Sequence, residues 1–307
     1  MTYFILANPN SGAKKGAHTL DVLLPYFNEN QIKYQLFATS EIGQEAQLIN
    51  AILELKTSTD QLLIIGGDGT ISLAIDALPD HIPFAYIPAG SGNDFARSLH
   101  ISLDPIEAFK NIERQEKHDI YIIKYSSHQL SGYALNNIGI GLDAQIVKSA
   151  NEGKLKTWLN KIKLGQLAYL MTALHVLFTK KPFAVHLSAL TNDNKVQEKA
   201  YARAFLMTFT KHPYFGGGVK ISPEASNSNA EIHLVEFDRH PMRKIFPVVP
   251  KVLKGTHLTN PLFDHRISKT FTVTTDVNQP VQIDGETHEI LKNDPLTLST
   301  EKRTIIY

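Results

Sequence analysis

No cysteine occurs anywhere in the 307 residues. That one absence excludes disulfides, thiol nucleophiles and thiolate metal sites together, and it fits a reducing, cytoplasmic setting. An excess of one charge sign is lacking as well: 31 Lys and Arg stand against 30 Asp and Glu, a formal net charge of +1. No molecule-wide field therefore argues for a nucleic-acid partner. Long apolar runs are scarce too. The longest nearly uncharged one, Leu164 to Phe178, carries Gln166, Thr172 and His175 and falls short of the roughly 20 residues a transmembrane helix needs. No transmembrane segment is expected, so any contact with a membrane would be peripheral. The opening MTYFILANPNSG lacks the basic region and cleavage site of a signal peptide and reads as a strand. Common fingerprints are also missing: there is no G-x-x-x-x-G-K-[ST], no G-x-G-x-x-G with a distant acid, and no G-x-S-x-G elbow. Among the 13 histidines, His212, His233, His240 and His257 do not show the short spacing of a zinc site.

What is present has the length of two domains and the 43% apolar content of an ordinary globular protein. The first third alternates apolar runs with helical patterns, the signature of βαβ units and a mainly parallel sheet. Strands are expected at Tyr3–Ala7, Tyr34–Ala38, Gln61–Ile65 and Phe84–Ile87. Helices are expected at Ala17–Asn28, Gln44–Leu55, Ile71–Leu78 and from about Asp94. Beyond about residue 120 the texture becomes β-rich, interrupted only by one long helical pattern at about Leu155–Phe178 and a shorter one near Met242–Lys254. The expected architecture is an α/β domain over 1–122, with a mainly parallel sheet and glycine-rich loops, followed by a larger antiparallel, sandwich-like domain over 123–295.

Four short stretches carry candidate chemistry. GGDGT, Gly66 to Thr70, follows a buried strand and precedes a helix, so it reads as a tight turn, a phosphate cradle or a metal-bearing loop. Asp68 in it would repel a phosphate unless a divalent cation lay between them. GSGNDFAR, Gly90 to Arg97, repeats the strand, glycine turn and helix, with Asp94 near a helix N-cap. NPNSG, Asn8 to Gly12, holds the equivalent place after the first strand, with Lys14 and Lys15 just beyond. Adjacent parallel strands deliver their C-terminal loops to one edge, where ligands of open α/β sheets bind. In QIDGETHE, Gln282 to Glu289, Asp-Gly is a hairpin signal that would put Asp284 and Glu286 at a tip.

In this order, NPNSG, GGDGT, GSGNDFAR and DGE resemble the bacterial soluble diacylglycerol kinase and lipid kinase family, similar in its core to the sphingosine and ceramide kinases. The resemblance implies an ATP-dependent kinase that phosphorylates a lipid hydroxyl at the membrane surface, most plausibly turning diacylglycerol into phosphatidic acid. It places nucleotide and Mg²⁺ in the cleft between the domains, has a strand at about 296–307 return to the first domain, and admits a homodimer. Carried over, Asn8, Pro9, Asn10, Ser11, Gly12, Thr39, Gly66, Gly67, Asp68, Gly69, Thr70, Ser72, Ser91 and Asn93 would line the ATP site. Asp68, Asp94 and Glu286 would organise Mg²⁺, and Asp284 would be the base. The family continues GGDGT with x-N-E where this chain has Ile71, Ser72 and Leu73. Near residue 229 some relatives hold a second Mg²⁺ by an Asp-Gly pair where this chain has Asn229 and Ala230. Two other functions fit parts of the pattern: a kinase of a soluble acceptor, similar to NAD kinases and phosphofructokinases, and a nucleotide-binding regulator without catalysis. For the lipid, the sequence offers a basic amphipathic pattern at about 155–178 and an apolar, glycine-rich stretch at His212–Pro223.

Overall fold

The computed structural model describes residues 1–41, 43–152, 178–190, 195–215 and 218–307. Four strands, β1 (Tyr3–Ala7), β2 (Tyr34–Ala38), β3 (Gln61–Gly66) and β4 (Phe84–Pro88), run parallel in the order β4-β3-β1-β2. Every residue of β1, β3 and β4 is buried, as uninterrupted apolar runs require of strands covered on both faces. The covering helices are α1 (Ser11–Glu29), α2 (Glu45–Leu55), α3 (Asp68–Ala77) and α5 (Pro105–Glu113), with a short α4 (Asp94–Ser98) between the last two. Right-handed crossovers send α1 and α2 to opposite faces; α1 meets α5 and α2 meets α3.

The remainder is antiparallel. Its strands are β5 (Lys117–Ser126), β6 (Ser131–Ala134), β7 (Asn137–Gly141), β8 (Phe183–Leu190), β9 (Val196–Thr210), β10 (Tyr214–Phe215) and β11 (Val219–Lys220). They continue with β12 (Ile232–Asp238), β13 (Phe263–Ser268), β14 (Thr270–Thr275), β15 (Gln279–Ile283), β16 (Glu286–Ile290) and β17 (Leu296–Ile306). Alternate residues are buried, as Phe183, Val185, Leu187 and Ala189 are along β8, which places one face in a core of Phe183, Phe209, Phe271, Leu298 and their neighbours. A separate core of Tyr3, Phe27, Ile64, Phe84 and Phe109 fills the parallel part.

One strand joins the two. β17 pairs with β5 along Lys117–Ser126 and with β14, both antiparallel, and then runs beside β4 in parallel at Ile305 and Ile306. A single hydrogen-bonded path therefore runs from β16 through β17 to β2. The place where the sequence texture changes, at 122/123, falls inside β5.

Most expected elements of the first third lie within a few residues of their expected bounds. α1 is the exception: it begins at Ser11, and Gly12, Ala13 and Lys14 have left-handed φ of 56°, 56° and 75° before the regular helix starts. The helical pattern near 242–254 is broken into α7 (Met242–Ile245), a 3₁₀ turn at Phe246–Val248 and α8 (Val249–Leu253). Pro247 and Pro250 each remove an N–H that one continuous helix would need. A further helix, α6 (Leu142–Glu152), follows β7 without an intervening loop. The amphipathic pattern at 155–178 lies, except for its last residue, outside the described residues.

Candidate active site

The three glycine-bearing loops leave the C-terminal ends of β1, β3 and β4 and gather at one sheet edge. Two of them touch through bare backbone. A Cβ on Gly90 would stand 2.6 Å from the Gly67 Cα, and one on Gly67 would stand 2.9 Å from the Gly90 Cα, so only glycine lets these loops close together. Gly12 has a φ of +56°, and a Cβ there would meet the Ala89 carbonyl oxygen at 2.4 Å.

Side chains brace the rest. Asn8 Nδ2 donates to Thr70 Oγ1 at 3.1 Å, and Asn8 Oδ1 accepts from the Asn10 N–H at 3.0 Å. Ser11 Oγ donates to the Ala89 carbonyl at 3.1 Å. Asn93, left-handed at φ 53°, accepts from the Gly90 N–H at 2.8 Å and donates back to the Gly90 carbonyl at 3.2 Å. The Pro9 carbonyl accepts from the Ala17 N–H, the Gly66 carbonyl from the Tyr86 hydroxyl, and the Thr39 N–H donates to the Ala7 carbonyl. Thr39 is buried, whereas Gly69 and Ser91 are exposed.

Asp68 opens α3, and its carboxylate reaches the next loop. Its Oδ2 and Oδ1 accept from the Asp94 and Phe95 N–H groups, each at 3.2 Å. Burial pushes the Asp68 carboxyl up, the two N–H donors oppose this, and the Asp94 charge adds to it. Asp94 in turn pairs with Arg97 Nη1 at 2.7 Å.

From the antiparallel side, the β15–β16 turn brings Asp284 to the same place. Asp284 has a φ of +48° and Gly285 of +90°, the conformation that Asp-Gly hairpins favour. Asp284 Oδ2 accepts from the Leu135 N–H at 2.7 Å and from Ser72 Oγ at 2.8 Å; Oδ1 accepts from the Asn136 and Asn137 N–H groups at 2.9 and 3.0 Å. Burial nevertheless pushes its carboxyl up to about 6. Asp68, Gly92 and Asp94 face Asp284, Asn136 and Asn137 across a cavity of about 200 Å³.

Glu286 lies elsewhere. It lines a smaller hollow of about 70 Å³ with Ser72, Asp76 and the other side of Asp284. Asp68 and Asp94 thus share one cavity and Glu286 the adjoining one, and among the described residues no three His, Asp or Glu side chains form a metal-holding group.

Sequence reasoning passed over Asp143. It stands on the first turn of α6, almost fully buried, and burial pushes its carboxyl up to about 7 against a 2.9 Å bond from Gln282 Nε2. Gln282 also bonds Asn137 Oδ1 and accepts from the Gly285 N–H at 2.8 Å, which ties Asp143 to the Asp284 turn. A Cβ on Gly139 would lie 1.7 Å from Asp143 Oδ2. The available signal was therefore a glycine four residues before an acid at a strand–helix junction. Asp143 and Phe215 line both the polar cavity and a second, apolar one of about 280 Å³, walled by Leu142, Ile146, Leu206, Val219, Ile221 and Phe237 among others. The apolar stretch His212–Pro223 supplies three of these walls, Phe215, Val219 and Ile221.

Near residue 229, the buried ammonium of Lys211 donates to the Asn229 carbonyl at 2.6 Å and to the Glu231 carbonyl. Burial lowers its pKa to about 8, against the pull of the Glu231 charge. The Glu231 carboxylate is itself engaged by Asn229 Nδ2 at 3.2 Å.

A parallel α/β lobe with glycine-walled loops thus meets an acidic hairpin from an antiparallel β lobe. The family model described as the diacylglycerol kinase catalytic domain matches residues 2–125, and that of the YegS C-terminal NAD kinase beta sandwich-like domain matches residues 136–300. The chain belongs to the diacylglycerol kinase-like family that carries these two domains. It is 27% identical over 307 residues to "Putative lipid kinase YtlR" of Bacillus subtilis (strain 168), covering 97% of this chain and 96% of that one. It is 26% identical over 253 residues to "Putative lipid kinase SaurJH9_0749" of Staphylococcus aureus (strain JH9), covering 79% and 77%. In fold it is similar to a crystal structure of "a putative diacylglycerol kinase from Bacillus anthracis str. Sterne", with a TM-score of 0.75, 20% identity and coverage of 100% and 94%. A second structure from that organism, described as "a diacylglycerol kinases", gives a TM-score of 0.68 at 19% identity, covering 100% and 96%.

Proposed function

We propose that this protein transfers the γ-phosphate of ATP to the hydroxyl of a membrane lipid of the diacylglycerol type. Membership of a kinase family implies ATP use. The observation that carries the lipid reading is the meeting of the polar cavity beside Asp284 with the 280 Å³ apolar cavity across Asp143 and Phe215. An amphipathic alcohol fits that junction, with its hydroxyl at Asp284 and its hydrocarbon among Leu206, Ile221 and Phe237.

Phosphoryl transfer is catalysed chiefly by positioning and charge neutralisation. The triphosphate lies along the glycine-walled loops, where backbone N–H groups approach it without intervening side chains. Asp284 takes the proton of the acceptor hydroxyl, the hydroxyl oxygen forms a bond to the γ-phosphorus, and the bond from that phosphorus to the β,γ-bridging oxygen breaks, releasing ADP. Four hydrogen bonds aim the Asp284 carboxylate, and its elevated pKa keeps it basic enough to accept a proton while ionised at neutral pH.

A divalent cation fits the opposite wall. Asp68 and Asp94 are hard oxygen donors lining one cavity, and burial, the main cause of the raised Asp68 pKa, leaves that carboxylate short of the water a cation would replace. Mg²⁺ held there would neutralise phosphate charge. Glu286 lines the adjoining hollow on the far side of Asp284 and stands outside this pair.

The test is transfer of radiolabelled phosphate to diacylglycerol in mixed micelles with Mg²⁺, using the native chain and Asp284→Asn. The substitution is expected to lower the rate by about 10²–10⁴-fold. An unchanged rate removes Asp284 from the mechanism. Transfer to a soluble alcohol, indifferent to micelles, replaces the lipid reading with that of a soluble-acceptor kinase.

A further inference from the structure

The segment from α7 to α8 has two apolar sides. Ile245 and Val248 are buried and, with Val252, wall the apolar cavity. Phe246, which does not line the cavity, is 51% exposed, and Val249 and Leu253 are 43% and 67% exposed. Val249 and Leu253 belong to both sides, since each also lines the cavity. The cavity's wall thus continues into the exposed patch through Val249 and Leu253.

Charge surrounds this patch with one sign only. Arg243, Lys244, Lys251 and Lys254 are exposed, and from Arg239 through Phe263 there is no Asp or Glu. None of these four cations forms an ion pair within the described residues. In a chain whose net charge is only +1, so local an excess is positional. Projecting apolar side chains inside a cationic collar match the interface of an anionic bilayer, where hydrocarbon lies just beneath phosphate headgroups. A soluble acidic partner would use the collar and leave Phe246 and Leu253 without a place.

We propose that residues 242–254 dock on an anionic membrane surface, with Phe246, Val249 and Leu253 entering the headgroup boundary. An acyl chain then passes from the bilayer into the cavity past Val249 and Leu253 without crossing water. The inference rests on the lipid-kinase reading for its purpose, but its geometry is tested separately.

The test is co-sedimentation of the full chain with vesicles of phosphatidylcholine alone or mixed with phosphatidylglycerol, at low and high salt. The native chain is expected to bind the mixed vesicles and to be released by salt. Phe246→Ser, and separately the double variant Lys251→Gln/Lys254→Gln, should each weaken that binding by roughly tenfold. Both variants should keep native circular dichroism and native phosphate transfer to a short-chain diacylglycerol dispersed in water, since neither alters the cavity. Native-like binding by both variants overturns the proposal, and so does equal binding to neutral and anionic vesicles or no binding at all. Salt-sensitive docking lost in both variants, but with no phosphate transferred to any lipid alcohol, upholds the surface and overturns the lipid-kinase reading instead.

Discussion

Ser72, one of the positions at which the sequence departs from the motif it resembles, donates its hydroxyl to the carboxylate proposed as base. A donor to the ionised form holds that carboxyl's pKa down, and Ser72 works with three backbone N–H groups against burial. Removing it in Ser72→Ala raises the Asp284 pKa further above about 6. A base acts only when ionised, so kcat/KM rises with pH through the base's pKa, and the variant's acid limb should move to higher pH by roughly one unit. A pH profile unmoved by the substitution would show that the Ser72 contact does not tune the base. The candidate carboxylates Asp68 and Asp284 were legible because each stands next to glycine, and Asp94 because it follows the Gly90–Gly92 turn at the start of a helix, where local chemistry already looks unusual. Asp143 was not, because its partner Gln282 lies 139 residues away in the sequence. Glu286 was grouped with Asp68 and Asp94 only through the family resemblance, and it lines the hollow adjoining theirs.

Among the elements, the two glycine turns after β3 and β4 act as a single unit because their backbones touch. Gly90→Ala places a methyl 2.6 Å from the Gly67 Cα and from Asn93 Oδ1, so the loops must part. Mg²⁺-ATP affinity, measured by calorimetry, should fall at least tenfold while far-ultraviolet circular dichroism stays native; undiminished affinity would mean that nucleotide binds away from this seam. The strands and helices around these turns were readable because βαβ units are built from near neighbours in sequence. The antiparallel half gave up its strands but not its pairing, since the partners of β9 include β7, β8 and β12, set by contacts far along the chain. α6 escaped notice because it leaves β7 with no turn signal between them, and the 242–254 pattern hid its two proline breaks behind helical spacing.

Across the whole molecule, two apolar cores are joined by one hydrogen-bonded sheet through β17. Loss of either core strips β17 of partners on one side, so the chain should unfold thermally in one transition seen alike by near- and far-ultraviolet circular dichroism. Mg²⁺-ATP at a hundredfold excess over its Kd should raise that transition by the equivalent of about 2.7 kcal/mol. Two separate transitions, only one of them shifted, would show that the strand does not couple the cores.

Every partner of β17 precedes it in the chain: β4 by more than two hundred residues, β14 by barely twenty. A nascent polypeptide emerging from the ribosome therefore carries both half-built sheets with a gap where their common strand belongs, and the bare flanks of β4 and β14 stay open to wrong pairing until residues 296–306 appear. Assembly is then a late zippering of distant segments, slow by its contact order.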